Sequence, residues 1–364
     1  MFARRILAAV SQQAQLVVPV QTGLAGPLLA HQGFAARAAP GSCGDKSRLP
    51  VSLRSWTFSP RLSAPAAMLT PFQTLRDCLR YAVTRFNRAE LSFGHGSHNA
   101  YDEAAYLLLH SLRLPPDLLD PFLDARLLPE EIESLINIIE RRATERLPAA
   151  YITNEAFLGH YRFYVDQRVI VPRSFIAELI PEFFQPWIDD PEGVDQVLEL
   201  CTGSGCLAIM LADAFPNAQV DAVDLSTDAL AVARRNVDDY HLQSRIELLQ
   251  SDLYQALPGK RYDLIVSNPP YVNAQSMKSL PPEYRHEPRM ALAGGADGMD
   301  LVRRIVEGAR ERLTENGVLV VEIGNEREHA EAAFPELELT WLSTSAGDDQ
   351  VFLITAEQLR SQDA

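Results

Sequence analysis

The chain has 364 residues, 47% hydrophobic and 22% charged, a balance that fits two or three globular domains and excludes a fibrous or wholly disordered chain. No apolar run approaches the ~20 residues a membrane-spanning helix needs. The net charge of −15 is unevenly spread: residues 1–67 hold seven Arg or Lys against one acid, a surplus of six, so the remainder carries −21. So acidic a body repels phosphate backbones at long range, although a local basic patch is compatible with it, and it attracts a basic protein. The four cysteines, Cys43, Cys78, Cys201 and Cys206, show no CxxC spacing. That points to a reduced, cytoplasmic setting without a disulfide framework or thiolate metal site.

In chain order, residues 1–67 come first, rich in Ala, Ser, Pro and Arg and poor in acids. Two readings stand: a mitochondrial transit peptide, or a disordered leader translated ahead of a natural start at Met68. From 68 to 150 the pattern is helical. "TLRDCLRYAVTRF" puts Leu75, Leu79, Ala82, Val83 and Phe86 on one face at spacings of three and four. "LPEEIESLINIIERRATERL" opens on Glu130 and Glu131 and ends near Arg141 and Arg142, matching the helix dipole. This predicts a small helical domain that recognises substrate or covers a site. His95 and His98 in "FGHGSHN" lack a third ligand, so no metal site is expected.

Residues 151–172 change period. Their β-branched and aromatic run, broken at Gly159-His160, predicts a β-hairpin linking the helical domain to the rest. From 173 to 364 apolar strands ("QVLELC", "QVDAVDL", "IELLQSD", "DLIVSN", "GVLVVEIG") alternate with amphipathic helices near 207–215, 228–240 and 298–313. That is an α/β, doubly wound parallel sheet. "LELTWLSTS" and "DQVFLITA" read as a closing hairpin, with an antiparallel final strand.

Candidate site residues fall at strand tips. In "VLELCTGSGCLAI", Gly203 and Gly205 let a ligand approach the backbone ahead of a helix N-terminus. Asp224 ends the next strand, 21 residues after Gly203, where a carboxylate meets a ribose hydroxyl pair; a helix-cap role shared with Ser226 is the plainer alternative. Asp252 ends the third strand candidate. The third glycine of GxGxxG and the GK[ST] of a P-loop are both missing, so a ligand with a ribose and no phosphate, such as S-adenosyl-L-methionine, fits best.

At the fourth tip stands "SNPPY". Two prolines cannot donate to a ladder, so the strand ends where Asn268 begins. Asn268 and the Pro269 backbone can then accept hydrogen bonds from a substrate amino group, held rigidly, while Tyr271 packs on a flat amide or base. The mixed-sign "EYRHEP" segment that follows is either a solvated loop or a substrate-facing lid, which makes Arg285, His286 and Glu287 recognition candidates.

ELCTGSGC, AVDLS, SNPPYV and EYRHEP together resemble the HemK-type protein glutamine methyltransferases, from about Thr70 to Leu359. "FGHGSHNAYDEA", "VPRS" and "LPPEYRHEPRMALAGGADGMD" are more similar to the branch acting on a large-subunit ribosomal protein than to the release-factor branch. The resemblance implies a seven-stranded class I S-adenosylmethionine-dependent methyltransferase domain that methylates the side-chain amide nitrogen (N5) of a glutamine in a basic ribosomal protein. It places cofactor contacts at Cys201, Thr202, Gly203, Ser204, Gly205, Asp224 and Asn268, joined by Asp252 from the strand pattern. Substrate contacts fall at Asn268, Pro269, Pro270 and Tyr271. Leu253 stands where the release-factor branch often has an aromatic residue, and no adenine contact is assigned to it. The competing readings are a release-factor methyltransferase, a nucleic-acid amino-methyltransferase, and a non-catalytic ribosome assembly factor. The acidic body and the lack of a Lys/Arg-rich, aromatic-interleaved segment argue against sequence-specific nucleic-acid binding.

Overall fold

The computed structural model describes residues 71–361; the 1–67 leader and the start at Met68 lie outside them. Helices α1 (Leu75–Arg88), α2 (Ala100–Ser111), α3 (Pro129–Glu145) and the short α4 (Ala149–Thr153) come first. Their ends are set locally. Thr74 and Asp77 close a capping box on α1, Asn99 accepts from two N–H groups of α2, and Pro129 opens α3. Leu75, Leu79, Ala82 and Phe86 are buried among Leu107, Leu108, Leu135 and Ile139, whereas Val83 is only half-buried.

Strands β1 (Glu155–Leu158) and β2 (Tyr161–Tyr164) form the hairpin. After a short helix α5 (Ile176–Leu179), the chain winds through β3 (Gln196–Leu200), α6 (Cys206–Ala214), β4 (Gln219–Asp224), α7 (Thr227–Asp239), β5 (Ile246–Gln250) and β6 (Tyr262–Ser267). It continues with α8 (Ser276–Ser279), α9 (Asp300–Arg312), β7 (Leu313–Glu322), α10 (Arg327–Ala333), β8 (Thr340–Thr344), β9 (Gly347–Thr355) and α11 (Ala356–Arg360). No helix among the described residues is long and apolar enough to cross a membrane.

The seven strands lie in the order β5-β4-β3-β6-β7-β9-β8. The first five are parallel and β9 runs antiparallel to both neighbours, as the closing hairpin predicts. Alternate residues feed two cores, one on each face: Val197, Val220, Leu264 and Val318 pack against α6, and Leu198, Val223, Ile265 and Leu319 pack against α9. The winding reverses between β3 and β6, whose carboxyl ends are therefore neighbours. Open α/β sheets bind ligands in the crevice at such a switch point. The glycine turn follows β3 and the NPPY sequence follows β6.

Candidate active site

Three residues in five adopt positive φ as the chain leaves β3: Cys201 (62°), Gly203 (55°) and Gly205 (78°). The two glycines serve different ends. A Cβ on Gly203 would meet nothing within 4 Å, so its backbone faces open space. One on Gly205 would stand 3.2 Å from the Ala233 Cβ, so this glycine lets α7 close against the start of α6.

Asp224 holds the turn. Its carboxylate accepts from the Gly203 N–H at 2.9 Å and the Ser226 N–H at 2.8 Å, and burial raises its pKa. The cap itself is Ser226, whose hydroxyl accepts from the Ala229 N–H. Thr202 and Ser204 turn inward and are buried. The Thr202 hydroxyl donates to Glu199, a carboxyl beneath the turn that burial pushes up to about 8. Asn236 donates to the Ser204 carbonyl (2.8 Å) and also bonds the Tyr164 backbone, fastening the turn to the hairpin. Burial pushes the thiols of Cys201 and Cys206 up to about 12, which leaves neither a nucleophile at neutral pH. Asp252 carries an ion pair to Arg304 at 2.8 Å and Leu253 is buried in the core.

Beside this turn, Ser267 ends β6 and donates to the Leu200 carbonyl at 2.9 Å, tying the two strand tips together. Asn268 comes next. It is half-buried, and its side-chain amide bonds no described residue. Pro269 and Pro270 are buried. Their path is shaped by three glycines: a Cβ on Gly294 would stand 2.7 Å from the Pro270 carbonyl, on Gly298 2.2 Å from the Tyr271 carbonyl, and on Gly324 2.6 Å from the Tyr271 ring. The Val272 N–H donates to Leu292 and the Gly294 N–H to Val272, locking the two loops together. Tyr271 reaches Glu322 at 3.4 Å, and the same carboxylate accepts from the Ser174 hydroxyl (2.6 Å) and the Phe175 N–H (2.8 Å).

The EYRHEP segment is bound down rather than free to close as a lid. Glu287 is buried. It takes both nitrogens of Arg173 (2.5 and 2.7 Å) and the Val171 N–H (3.0 Å). Burial would raise its pKa, yet His95 and Arg173 together hold it down at about 2. The His286 ring bonds the Glu145 carbonyl at the end of α3 (2.8 Å). Of the three recognition candidates Arg285 alone is exposed. His95 is buried against the Tyr284 ring while His98 is exposed, so the two histidines do not meet.

Glu322, Asn236, Glu199 and the three glycines went unassigned in the sequence. "AGGADGMD" and "VEIG" were visible there, but nothing local says that they pack on a proline pair some 25 to 55 residues away.

An open glycine turn and a rigid amide-bearing tip at the switch point of this sheet define a class I S-adenosylmethionine-dependent methyltransferase. The family model "Methyltransferase small domain" matches residues 184–280. The ribosomal protein uL3 glutamine methyltransferase of Burkholderia pseudomallei (strain K96243) is 65% identical over 297 residues, covering 80% of this chain and 97% of that one. Its Bordetella pertussis (strain Tohama I) counterpart is 62% identical, covering 79% and 97%. The one from Neisseria meningitidis serogroup A is 58% identical, covering 80% and 95%. The chain belongs to the ribosomal protein uL3 glutamine methyltransferase family.

Proposed function

We propose that this protein methylates the side-chain amide nitrogen of a glutamine in ribosomal protein uL3, using S-adenosyl-L-methionine. The observation that carries this reading is the Asn268 side chain, which bonds no described residue and stands on a rigid Pro-Pro tip next to an open glycine turn. The residues fit the cofactor: the turn has no cation for a phosphate, Gly203 leaves room above its backbone, and Asp224 stands at the neighbouring tip. Cys201 to Gly205, Asp224, Asp252 and Asn268 would hold it. When bound there, S-adenosylmethionine supplies an electrophilic methyl group on a sulfonium.

The chain's own residues then solve a problem of orientation. An amide nitrogen is a poor nucleophile because its lone pair is delocalised into the carbonyl. The Asn268 side-chain oxygen and the Pro269 carbonyl accept the two amide hydrogens, and Tyr271 covers the plane of the amide. The prolines fix these acceptors in advance, so little entropy is lost on binding, and such positioning can contribute several kcal/mol. Methyl transfer leaves the amide nitrogen cationic, and it then gives up one of its two protons readily to water or a carbonyl, so no strong base is assigned. Pro270, buried beneath the tip, fixes its path, Arg285 is exposed beside it, and the helical domain (68–150) contributes to recognising the arriving chain. An acidic body suits a basic ribosomal protein in the cytoplasm.

The test is to incubate the purified protein with labelled S-adenosylmethionine and large-subunit material from a strain lacking the gene. Intact mass and peptide fragmentation then locate the label. One methyl on a uL3 glutamine is expected; label in a release factor or in RNA would overturn the substrate assignment.

A further inference from the structure

The segment after the NPPY tip walls a groove of about 660 Å³. Its floor is apolar, built from Met277, Leu280, Leu292 and Ala293. Lys278, Arg285 and Arg289 stand on the rim, all exposed, and none of their side chains has a hydrogen-bond or acidic partner among the described residues. The two acids of this segment are buried and paired, although Glu287 also lines the groove. Glu283 is fully buried against Arg146 (2.8 Å) and Arg142 (3.6 Å), and Glu287 is buried against Arg173. A mixed-sign sequence is thus sorted in space, with anions inward and cations outward. Some exposed arginines elsewhere are covered by the protein's own carboxylates, as in Arg76–Asp124, Arg168–Asp166, Arg304–Asp252 and Arg327–Glu331, whereas the three rim cations stand uncovered around one groove beside the NPPY tip.

We propose that Lys278, Arg285 and Arg289 contact backbone phosphates of ribosomal RNA beside the target glutamine, so that the enzyme acts on uL3 already seated on RNA. The inference rests on the uL3 reading above. A ribosomal protein binds RNA through its own cations, and an uncovered cationic rim repels such a polypeptide when it is free. The same rim attracts the phosphates the polypeptide has bound. Three phosphate contacts position the particle without reading its sequence. The acidic remainder opposes indiscriminate binding to naked RNA, so the contact forms where a glutamine also enters the groove.

The experiment measures kcat/KM on free uL3 and on uL3 in large-subunit particles from cells lacking the gene, between about 0.1 and 0.3 M KCl. Particles are expected to be the better substrate. Three released counterions predict a fall on the order of tenfold across that range for particles, over and above the loss that screening of the acidic body causes with free uL3. The double variant Lys278→Glu, Arg289→Glu should lose the particle advantage and flatten the salt dependence, while normal S-adenosylmethionine binding shows that it is folded. Equal efficiency and equal salt response on the two substrates would overturn the inference. So would a double variant that loses as much on free uL3, since the rim would then be contacting carboxylates of the protein. Absence of methyl transfer to uL3 in either form refutes the parent reading, and the inference with it, by a distinct result.

Discussion

A carboxamide shielded from water is ordinarily bonded to nearby backbone, as the buried Asn236 is on both its oxygen and its nitrogen; the half-buried Asn268 side chain bonds no described residue, and an amide so placed beside a rigid proline pair is available to a ligand. Replacing Asn268 by Ala should therefore lower kcat by roughly 10²–10³ and leave cofactor affinity, read by calorimetry, within a few-fold of the parent. Near-normal turnover would remove Asn268 from the mechanism. Glu199 gives a second test, independent of activity. Its folded pKa, about 8, lies above the unfolded value of about 4.3, so the contribution of this carboxyl is fully present below about pH 4 and is lost as the pH rises through 8. A Glu199→Gln variant keeps an acceptor for Thr202 without that dependence. Its melting temperature relative to the parent should be higher at pH 8.5 than at pH 5, and a constant difference would show that Glu199 does not titrate as described. The places of Gly203, Asp224 and Asn268 at the strand tips were legible in the sequence because glycine turns, strand ends and proline pairs are local signals. Glu199 and Asn236 were hidden because an acid inside a strand and an amide inside a helix look like surface residues until their burial is known.

Among the elements, the β3 turn and the β6 tip use glycine in opposite ways, and this can be measured. Gly203→Ala adds a methyl where no atom lies within 4 Å, so its stability cost is the backbone strain at φ +55°, about 1–2 kcal/mol, and the larger effect should be weaker cofactor binding. Gly324→Ala carries similar strain at φ +53° but drives its methyl into the Tyr271 ring, so it should cost more in thermal stability and lower kcat as Tyr271 is displaced. Calorimetry and steady-state kinetics on the two variants separate these effects; equal losses in both would mean the glycines are merely turn formers. Strand positions were readable because parallel strands buried on both faces are continuous apolar runs bounded by turn residues. The link from β5 to β6 was harder to read. It crosses from the edge of the sheet to its centre through residues 251–261 without an α-helix, held by contacts such as the Tyr254 hydroxyl on the Ile305 carbonyl, and helix α10 escaped notice because only Ala330 of its seven residues is buried.

At the level of the whole molecule, one segment joins the helical part to the sheet. His286 bonds the end of α3, Glu283 accepts from the Ser92 N–H and pairs with arginines of α3 and its C-cap, and Glu287 grips Arg173. Ser174, next to that arginine, bonds the Glu322 that also receives Tyr271. The helical part and the NPPY tip are thus connected through polar contacts that the sequence pattern could not pair, because the partners lie more than a hundred residues apart, or 51 for Tyr271 and Glu322. Glu287 is the member whose removal can be read by pH. Its pKa near 2 lies below the unfolded value of about 4.3, so its stabilisation is fully present above that value and is lost as the pH falls toward 2. Glu287→Gln leaves Arg173 and its buried surroundings without a counter-charge, and breaking a buried pair from one side typically costs about 3–5 kcal/mol. Urea unfolding at pH 7 should show most of that deficit. At pH 3, where the parent has itself lost part of the interaction, the gap between parent and variant should narrow. A gap that stayed constant from pH 7 to pH 3 would mean that Glu287 stabilises the junction by shape alone, and the electrostatic connection between the helical part and the NPPY tip would have to be abandoned.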